Sequence, residues 1–290
     1  MHQTIHKPVL LGTVLTYLAP ERGNSYLDLT AGYGGHAQAV LERTQAPSLM
    51  TLVDRDETAV NALTSFESQG ATVLHASFEE ASVTLLSGGK RFDMILADLG
   101  VSSLHLDTSS RGFAFRTTGP LDMRMDQRAE LTAATVVNTY NQAELEGILR
   151  RYGEEPRART IAAAIVSHRP FATTTELAEA IAKVMPRGSK VHPATRSFQA
   201  IRIAVNDELG QLERSLPMWF QLLKPGGRLG VISFHSLEDR IVKQAFADMT
   251  GDRYDADYHL LTKHPVVADD TETVSNPRAR SAKLRVLQRK

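Results

Sequence analysis

Three glycines within four residues follow a short apolar run near the N-terminus, in the order Gly32-Tyr33-Gly34-Gly35. The apolar run spans Tyr26 to Leu29, and a helix-forming stretch from Ala37 to Arg43 comes after the glycines. A strand, a glycine turn and a helix in this order bring backbone N–H groups close to a ligand. Asp54 ends the next apolar run, where an acid can accept hydrogen bonds from both hydroxyls of a ribose. The pattern predicts a site for an adenosine-bearing cofactor.

The residues leave two cofactors open, a nicotinamide dinucleotide and S-adenosylmethionine. Gly32 to Ala37 satisfies the dinucleotide pattern G-x-G-x-x-A. The run Leu223 to Gly227 before a late strand, and Asp98 at the end of the fourth predicted strand, are typical of methyltransferases instead. Phe78 follows the third predicted strand, where its ring can lie against an adenine, although an interior phenylalanine is an equal alternative.

Composition sets bounds on the class of protein. The 290 residues are 42% apolar and 23% charged, as in ordinary globular proteins. The absence of cysteine excludes disulfides, thiolate catalysis and cysteine-ligated metal sites, and we find no metal-ligand cluster in the sequence. No apolar run approaches the roughly 18 residues of a membrane helix, and no signal-peptide core precedes the domain. We therefore expect a cytoplasmic protein without a metal.

The formal net charge is zero, but the basic residues are unevenly placed. Six basic residues and no acid lie between Pro277 and Lys290, and a second cluster contains Arg150, Arg151, Arg157 and Arg159. Such runs are often only solvated faces. A basic C-terminal tail beside a ligand site favours a phosphate-backbone partner.

The elements that must position these residues alternate in type over the first hundred positions. Strands are predicted at Tyr26–Leu29, Leu49–Val53, Thr72–His75 and Phe92–Ala97, with helices such as Glu57–Gln69 between them. Repeated β-α-β units predict a doubly wound α/β sheet with its ligand at the carboxyl ends of the strands.

The alternation stops near Leu106 and resumes after Val205. Helical patterns cover the interval, at Ala143–Arg151, Arg157–Ser167, Thr175–Val184 and Ser197–Leu223. We expect residues 1–106 and 206–290 to form the core domain and residues 107–205 an inserted helical domain. In the resumed core, Arg228–Ser233 is predicted to be a strand, Ser236 is predicted to cap the next helix, and Leu284–Leu287 is predicted to be a final strand.

Ordered motifs along almost the whole chain resemble one family. They are Asp28-x-Thr30-x-Gly32-x-Gly34-Gly35-His36, Asp54-Arg55-Asp56, Asp98-Leu99-Gly100-Val101-Ser102-Ser103, Arg111-Gly112-Phe113, Gly119 to Asp126, Tyr152-Gly153-Glu154-Glu155, His192 to Arg202, Ser233 to Arg240 and Asn276 to Ser281. The family is that of the bacterial small-subunit ribosomal RNA methyltransferase H, also called MraW.

The resemblance implies a Rossmann-like methyltransferase core that uses S-adenosylmethionine, yields S-adenosylhomocysteine and methylates N4 of a cytosine in the decoding region of 16S ribosomal RNA. The implied partner is 16S rRNA within the 30S subunit or its precursor, with no membrane, and a homodimer remains open. The cofactor contacts of the family carry over to Gly34, Gly35, His36, Asp54, Phe78, Asp98 and His105. His105 stands where relatives often have glutamine.

The proton acceptor for the cytosine amine has several candidates, which are Asp98, Ser102, Ser103 and His235. His235 has an alternative role as a structural hydrogen-bonding group in the turn after its strand. The target base must leave its stack to reach the cofactor, and Phe113 is one of the rings expected to stack on it. Positions expected to hold RNA phosphates or bases are Arg111, Arg124, Arg196, Arg202, Arg278 and Arg280.

Three other functions stay open at this level. The chain can be a methyltransferase for another amine, such as adenine or a protein side chain. It can be a non-catalytic ribosome-assembly factor with a relic cofactor site. A dehydrogenase is the third alternative, because the glycine spacing also suits a dinucleotide.

Overall fold

The fold was analysed in a computed structural model, which describes residues 8–186, 192–251 and 256–290, with the backbone alone at residues 103 and 104. Contacts between α-carbons divide the chain into two units. Unit 1 contains residues 1–100 and 209–290, and unit 2 contains residues 101–208. These divisions fall six and three residues from the domain limits expected at 106 and 205. The first limit comes earlier because the chain leaves the sheet directly after its fourth strand, which ends at Asp98.

The first segment of unit 1 alternates helices and strands. Its elements are α1 (Leu11–Leu18), β1 (Tyr26–Asp28), α2 (Gly35–Thr44), β2 (Met50–Asp54), α3 (Glu57–Ala62), α4 (Thr64–Ser68), β3 (Thr72–His75), α5 (Phe78–Ser87) and β4 (Phe92–Asp98). The predicted helix Glu57–Gln69 is divided at Leu63, which lies between α3 and α4. The four predicted strands are all present, within one or two residues of their predicted ends.

Unit 2 is helical in its described residues. Its helices are α6 (Ser103–Asp107), α7 (Ala133–Thr139), α8 (Gln142–Gly153), α9 (Ala158–Ser167), α10 (Thr174–Val184) and α11 (Thr195–Asn206). An apolar core with Leu149, Ile161 and Phe198 among its members holds these helices together. The predicted single helix Ser197–Leu223 is wrong, because Asp207 takes a left-handed conformation with φ of 46° and ends α11.

The second segment of unit 1 returns to the sheet. Its elements are α12 (Glu208–Gln221, which begins at the last residue of unit 2), β5 (Leu223–Ser233), α13 (Ser236–Thr250), β6 (Tyr258–Leu260), β7 (Val266–Val267), α14 (Asp270–Ser275) and β8 (Lys283–Arg289). The described part of the chain also contains three short 3-10 helices, at Pro47–Leu49, Ser109–Arg111 and Pro277–Ser281.

The strands of unit 1 form one sheet in the order β3-β2-β1-β4-β5-β8-β6, and β7 also pairs with β8. Neighbouring strands from β3 to β5 are parallel, whereas β8 runs antiparallel to its neighbours. Successive residues of β1 face opposite sides, since Tyr26 packs in one apolar core and Leu27 in the other. Helices cover both faces of the sheet, which confirms the predicted doubly wound α/β class.

The basic C-terminal stretch is not a tail. Residues Lys283–Arg289 form β8, an interior strand of the sheet between β5 and β6. Arg285 is buried and binds the Asp239 carboxylate, and Arg289 donates to the backbone oxygen of Leu223. The buried apolar residues Leu284, Val286 and Leu287 hold this segment in the sheet, which confirms the strand predicted over Leu284–Leu287. The tail interpretation is therefore wrong for residues 283–289.

Candidate functional site

The glycine loop joins β1 to α2 and leaves the first turn of that helix open. Gly34 has φ of 76° and precedes α2 without any side-chain cap. A β-carbon at Gly34 would lie 2.5 Å from Cε2 of Phe66, so both the backbone conformation and this ring require glycine. The uncapped N–H groups of α2 are suited to polar or anionic atoms of a ligand.

Asp54, at the end of β2, ties two loops together. Its Oδ2 accepts a hydrogen bond from the Gly32 N–H at 2.8 Å, and its Oδ1 accepts one from the Asp56 N–H at 2.9 Å. The side chain is only half-buried. This half-buried carboxylate therefore stands beside the glycine loop at the end of β2, where a ribose site has its acidic residue.

A second group of polar residues lies where β1 and β4 end. Tyr26 Oη donates to Asp28 Oδ2 at 2.8 Å, and the Thr30 N–H donates to Asp28 Oδ1 at 3.2 Å. The Asp98 N–H donates to Thr30 Oγ1 at 2.6 Å. His36 Nε2 lies 3.6 Å from Asp98 Oδ2. The structure thus brings the predicted residues His36 and Asp98 together, and adds three that had no assigned role.

Burial changes the acid–base properties of this group. Removal from water raises the pKa of Asp28 to about 6, although His36, Tyr26 and the Thr30 N–H oppose the shift. The pKa of Tyr26 is also raised, first by burial and then by the neighbouring Asp28 charge, so that Tyr26 stays a hydrogen-bond donor.

Three buried atoms of the group have no hydrogen-bond partner within the residues that the structure describes. They are both ring nitrogens of His36 and Oδ1 of Asp98. A buried polar atom without a partner costs about 1–3 kcal/mol, so these atoms call for a polar ligand or water. Together with the open first turn of α2 and Asp54, they fit a cofactor that carries charged and ribose groups.

Phe78 does not lie freely at the strand end. It is the first residue of α5, after the capping Ser77, and is 7% exposed. Its ring packs edge-on against Trp219 at 5.6 Å, within the core on one face of the sheet. These contacts agree with the second alternative for Phe78, that of an interior phenylalanine.

His235 is the N-cap residue of α13, where the sequence predicted Ser236. Its Nδ1 accepts a hydrogen bond from the Glu238 N–H, and Glu238 Oε2 accepts from the N–H groups of Phe234 and His235. His235 Nε2 lies 3.2 Å from Glu238 Oε1. The ring is therefore held in a helix cap, which agrees with the structural alternative for this residue.

Ser102 and His105 form a local pair in unit 2. The Ser102 N–H donates to His105 Nδ1 at 3.2 Å, and the His105 N–H donates to Ser102 Oγ at 3.3 Å. The His105 ring is buried and stacks on Phe113 at 4.8 Å. The side chain of Ser103 lies outside the described part of the chain.

Three arginines expected to hold RNA have partners inside unit 2. Arg111 donates to the backbone oxygens of Arg124 and Met125. Arg124 forms two hydrogen bonds with the Asp122 carboxylate and two more with backbone oxygens, and Arg202 binds Glu208 through Nε and Nη2 at 2.9 and 3.0 Å. Contacts of this kind hold loops and helix ends, so these three guanidinium groups stabilise the unit.

Other basic residues are more accessible. Arg196 is exposed and donates to the Glu154 backbone oxygen at 3.2 Å. It lines a pocket of about 370 Å³ with Arg157 and His192. In unit 1, Arg280 is exposed and Arg278 is half-buried, both in the 3-10 helix Pro277–Ser281.

Sequence reasoning assigned no individual role in the site to Thr30, Asp28 or Tyr26. Asp28 and Thr30 stand in the glycine-loop motif, and an acid that precedes a strand-end threonine was the signal available.

In the described residues no helix is long and apolar enough to cross a membrane. The same residues contain no group of three or more His, Asp or Glu side chains placed to hold a metal ion.

A doubly wound sheet with a glycine turn after β1, an acid after β2 and unpaired polar atoms after β4 defines a protein that binds an adenosine-type cofactor. A model of the MraW methylase family matches residues 3–290. The chain is 49% identical to ribosomal RNA small subunit methyltransferase H of Trichormus variabilis, over 98% of this chain and 92% of that protein.

Proteins of the same name from Synechocystis sp. and Acidobacterium capsulatum are 46% and 44% identical, over 97% and 100% of this chain and 92% and 100% of theirs. The chain belongs to the MraW methylase family. It is an S-adenosylmethionine-dependent methyltransferase. The alternatives of a dehydrogenase and of a non-catalytic assembly factor are therefore excluded.

Proposed function

We propose that this protein transfers a methyl group from S-adenosylmethionine to N4 of a cytosine in the decoding region of 16S ribosomal RNA. The observation that carries the proposal is the strand-end site of unit 1 in a chain whose 44–49% identical relatives are named ribosomal RNA small subunit methyltransferase H. N4 of cytosine follows from the family that the motifs resemble.

The cofactor would be held by the loop Gly34–His36, by Asp54 and by Asp98. Asp54 is suited to the ribose hydroxyls. The unpartnered ring nitrogens of His36, with Asp98 Oδ2 3.6 Å from Nε2, are suited to the remaining polar groups. When bound, S-adenosylmethionine supplies an electrophilic methyl group with a neutral thioether as its leaving group. Phe78 packs edge-on against Trp219 in the core, so no contact with the cofactor is assigned to it.

The chain must orient a weak nucleophile and remove one proton from it. The lone pair of the cytosine amine is delocalised into the ring, so holding N4 in line with the methyl carbon supplies much of the acceleration, roughly 7–11 kcal/mol in favourable cases. Asp98 accepts the proton that N4 loses, because its buried Oδ1 has a free lone pair among the described residues. Asp98 is preferred over the other candidates because it ends β4 beside His36 of the cofactor loop, whereas His235 Nδ1 caps α13 and Ser102 pairs with His105.

Unit 2 is proposed to recognise RNA. Arg157, Arg196 and His192 line its pocket, and the His192 ring packs against Phe115 at 4.6 Å. Two cationic side chains beside an imidazole suit a single-stranded RNA segment, which proteins bind through phosphates and stacked bases. The exposed Arg280 of unit 1 is a further phosphate contact, and Arg278 its neighbour.

The proposed substrate is 16S rRNA in the 30S subunit or a late precursor, encountered in the cytoplasm, with a homodimer as one form of the active enzyme. The test supplies S-adenosylmethionine with purified 30S subunits, with naked 16S rRNA, or with neither, followed by nucleoside mass spectrometry. We expect N4-methylcytosine from the RNA-containing samples. Methylated adenine, or methyl groups recovered only on protein, would assign the enzyme to another amine.

A further inference from the structure

A line of hydrogen bonds runs from the interior of unit 1 to Asp98. Tyr26 Oη donates to Asp28 Oδ2, the Thr30 N–H donates to Asp28 Oδ1, and the Asp98 N–H donates to Thr30 Oγ1. The last contact, at 2.6 Å, links the carboxyl ends of β1 and β4. Asp28 is 1% exposed, so solvent offers no substitute for its partners.

The two donors to Asp28 require acceptor oxygens. An ionised carboxylate accepts from both, whereas a protonated one carries a hydrogen on one oxygen and loses part of that capacity. Protonation of Asp28 therefore weakens its hold on Tyr26 or on the Thr30 backbone. Because Thr30 Oγ1 also accepts from the Asp98 N–H, a displacement of Thr30 would displace Asp98, which lines the cofactor site.

The charged and titratable groups that face Asp28 come from three elements. Tyr26 lies on the same strand, His36 on α2 and Asp98 at the end of β4. His36 favours the ionised form of Asp28 and Asp98 disfavours it, while burial acts most strongly against ionisation. The balance places the pKa of Asp28 at about 6, close to neutral pH.

We propose that Asp28 is a positioning residue whose ionised carboxylate, acting through Thr30, holds Asp98 in place, so that the cofactor binds more weakly when Asp28 takes up a proton. The inference rests on the proposed function, since it concerns the same cofactor site. It assigns to Asp28 no contact with the cofactor and no part in the transfer of the methyl group.

The size of the effect follows from the fraction of ionised Asp28. With a pKa of about 6, about one-tenth of the molecules carry ionised Asp28 at pH 5, and nearly all do at pH 7.5. If only that form positions Asp98, the apparent dissociation constant of the cofactor product rises about tenfold between these pH values.

The experiment measures binding of S-adenosylhomocysteine to the full-length protein by calorimetry between pH 5 and pH 8. The wild-type affinity should fall about tenfold toward pH 5. Asp28→Asn should bind weakly at pH 7.5 and lose that pH dependence. Thr30→Val should weaken binding, and Thr30→Ser should restore it, because serine keeps the accepting hydroxyl.

Tyr26→Phe tests the same link without changing the charge. The Tyr26 hydroxyl helps to keep Asp28 ionised, so its removal should move the midpoint of the pH profile to higher pH. This variant keeps the buried ring and serves if Asp28→Asn fails to fold. The matched control is Asp93→Asn, because Asp93 binds Ser25 and Lys224 at the opposite end of β4.

Asp93→Asn should lower stability but leave the pH midpoint of binding unchanged. Equal pH profiles in the wild type and Asp28→Asn would overturn the inference, because any slope would then arise from groups other than Asp28. A wild-type affinity that is flat from pH 5 to pH 7.5 would overturn it as well. A wild type that binds no S-adenosylhomocysteine at any pH would instead contradict the proposed function.

Discussion

Asp54 Oδ2 accepts a hydrogen bond from the Gly32 N–H at 2.8 Å, so the carboxylate that suits a ribose also holds the glycine loop. The second oxygen binds the Asp56 N–H, at the start of α3. One side chain thus links the carboxyl ends of β1 and β2, and its loss should affect the loop and the cofactor together.

Asp54→Ala should weaken S-adenosylhomocysteine binding by about 10- to 100-fold, corresponding to about 1–3 kcal/mol for unpaired polar groups. Asp54→Asn keeps one acceptor oxygen, so it should lose less affinity for S-adenosylhomocysteine than Asp54→Ala. Calorimetry on both variants measures the difference, and thermal unfolding shows whether the loop alone has been damaged. Unchanged affinity in Asp54→Ala would remove Asp54 from the cofactor site.

Gly34→Ala should destabilise the protein more than Gly32→Ala. Both glycines have positive φ, which costs an alanine about 1–2 kcal/mol. Only Gly34 also faces Phe66, whereas a β-carbon at Gly32 meets nothing closer than 3.9 Å. Urea unfolding of the two variants gives the comparison, and Phe66→Leu should partly rescue Gly34→Ala. Equal losses in both variants would show that packing against Phe66 is not what requires Gly34.

Asp239→Asn should lower the free energy of unfolding by about 1–3 kcal/mol at pH 7. Burial alone would raise the pKa of Asp239, but the hydrogen bonds and charges of Arg285 and Lys283 outweigh it and hold the pKa below 3.8. The ionised group therefore contributes stability at neutral pH, and this contribution is lost as the pH falls through the folded-state pKa.

The difference between wild type and Asp239→Asn should consequently shrink toward pH 3. Asp248→Asn, in the exposed part of the same helix, serves as the control and should change stability little at either pH. A difference for Asp239→Asn that stays constant with pH would show that packing, not charge, explains the loss.

Replacing Arg157 and Arg196 by glutamine should weaken binding of single-stranded RNA and flatten its salt dependence. Each lost phosphate contact removes about 0.7 from the slope of log K against log salt, or about 1.4 for the pair. Arg214→Gln is the control, since Arg214 is paired with Glu79 on unit 1. An unaltered slope in the double variant would show that both arginines are ordinary solvent-exposed residues that do not contact RNA phosphates.

The sequence predicted the fold well where local pattern and burial agree. Thr72–His75 is the observed β3, and the runs that became β1, β2 and β4 are apolar because helices cover both faces of the sheet. It failed at Asp207, where a single left-handed residue divides an apolar helical pattern that continues on both sides. At residues 283–289 the strand predicted over Leu284–Leu287 is confirmed, whereas the interpretation of the same basic residues as a tail is wrong.

The site was predicted less evenly than the fold. Asp54, His36 and Asp98 stand after strand ends in the sequence, and parallel strands bring such positions together. The partners of Arg111, Arg124 and Arg202 depend on tertiary contacts, so a basic residue that braces a loop looks the same in the sequence as one that binds RNA. No individual role could be assigned to Thr30, because its hydroxyl accepts from Asp98 of β4, which lies 68 residues further along the chain.

The most direct test of the account is the rate at which Asp98→Asn forms N4-methylcytosine on purified 30S subunits, followed by nucleoside mass spectrometry in a single turnover. Asparagine keeps the shape of the side chain but accepts no proton. We expect a rate at least about 100-fold below the wild type, with the same product and a much smaller loss of S-adenosylhomocysteine affinity. A wild-type rate in Asp98→Asn, or a wild-type product other than N4-methylcytosine, would contradict the account.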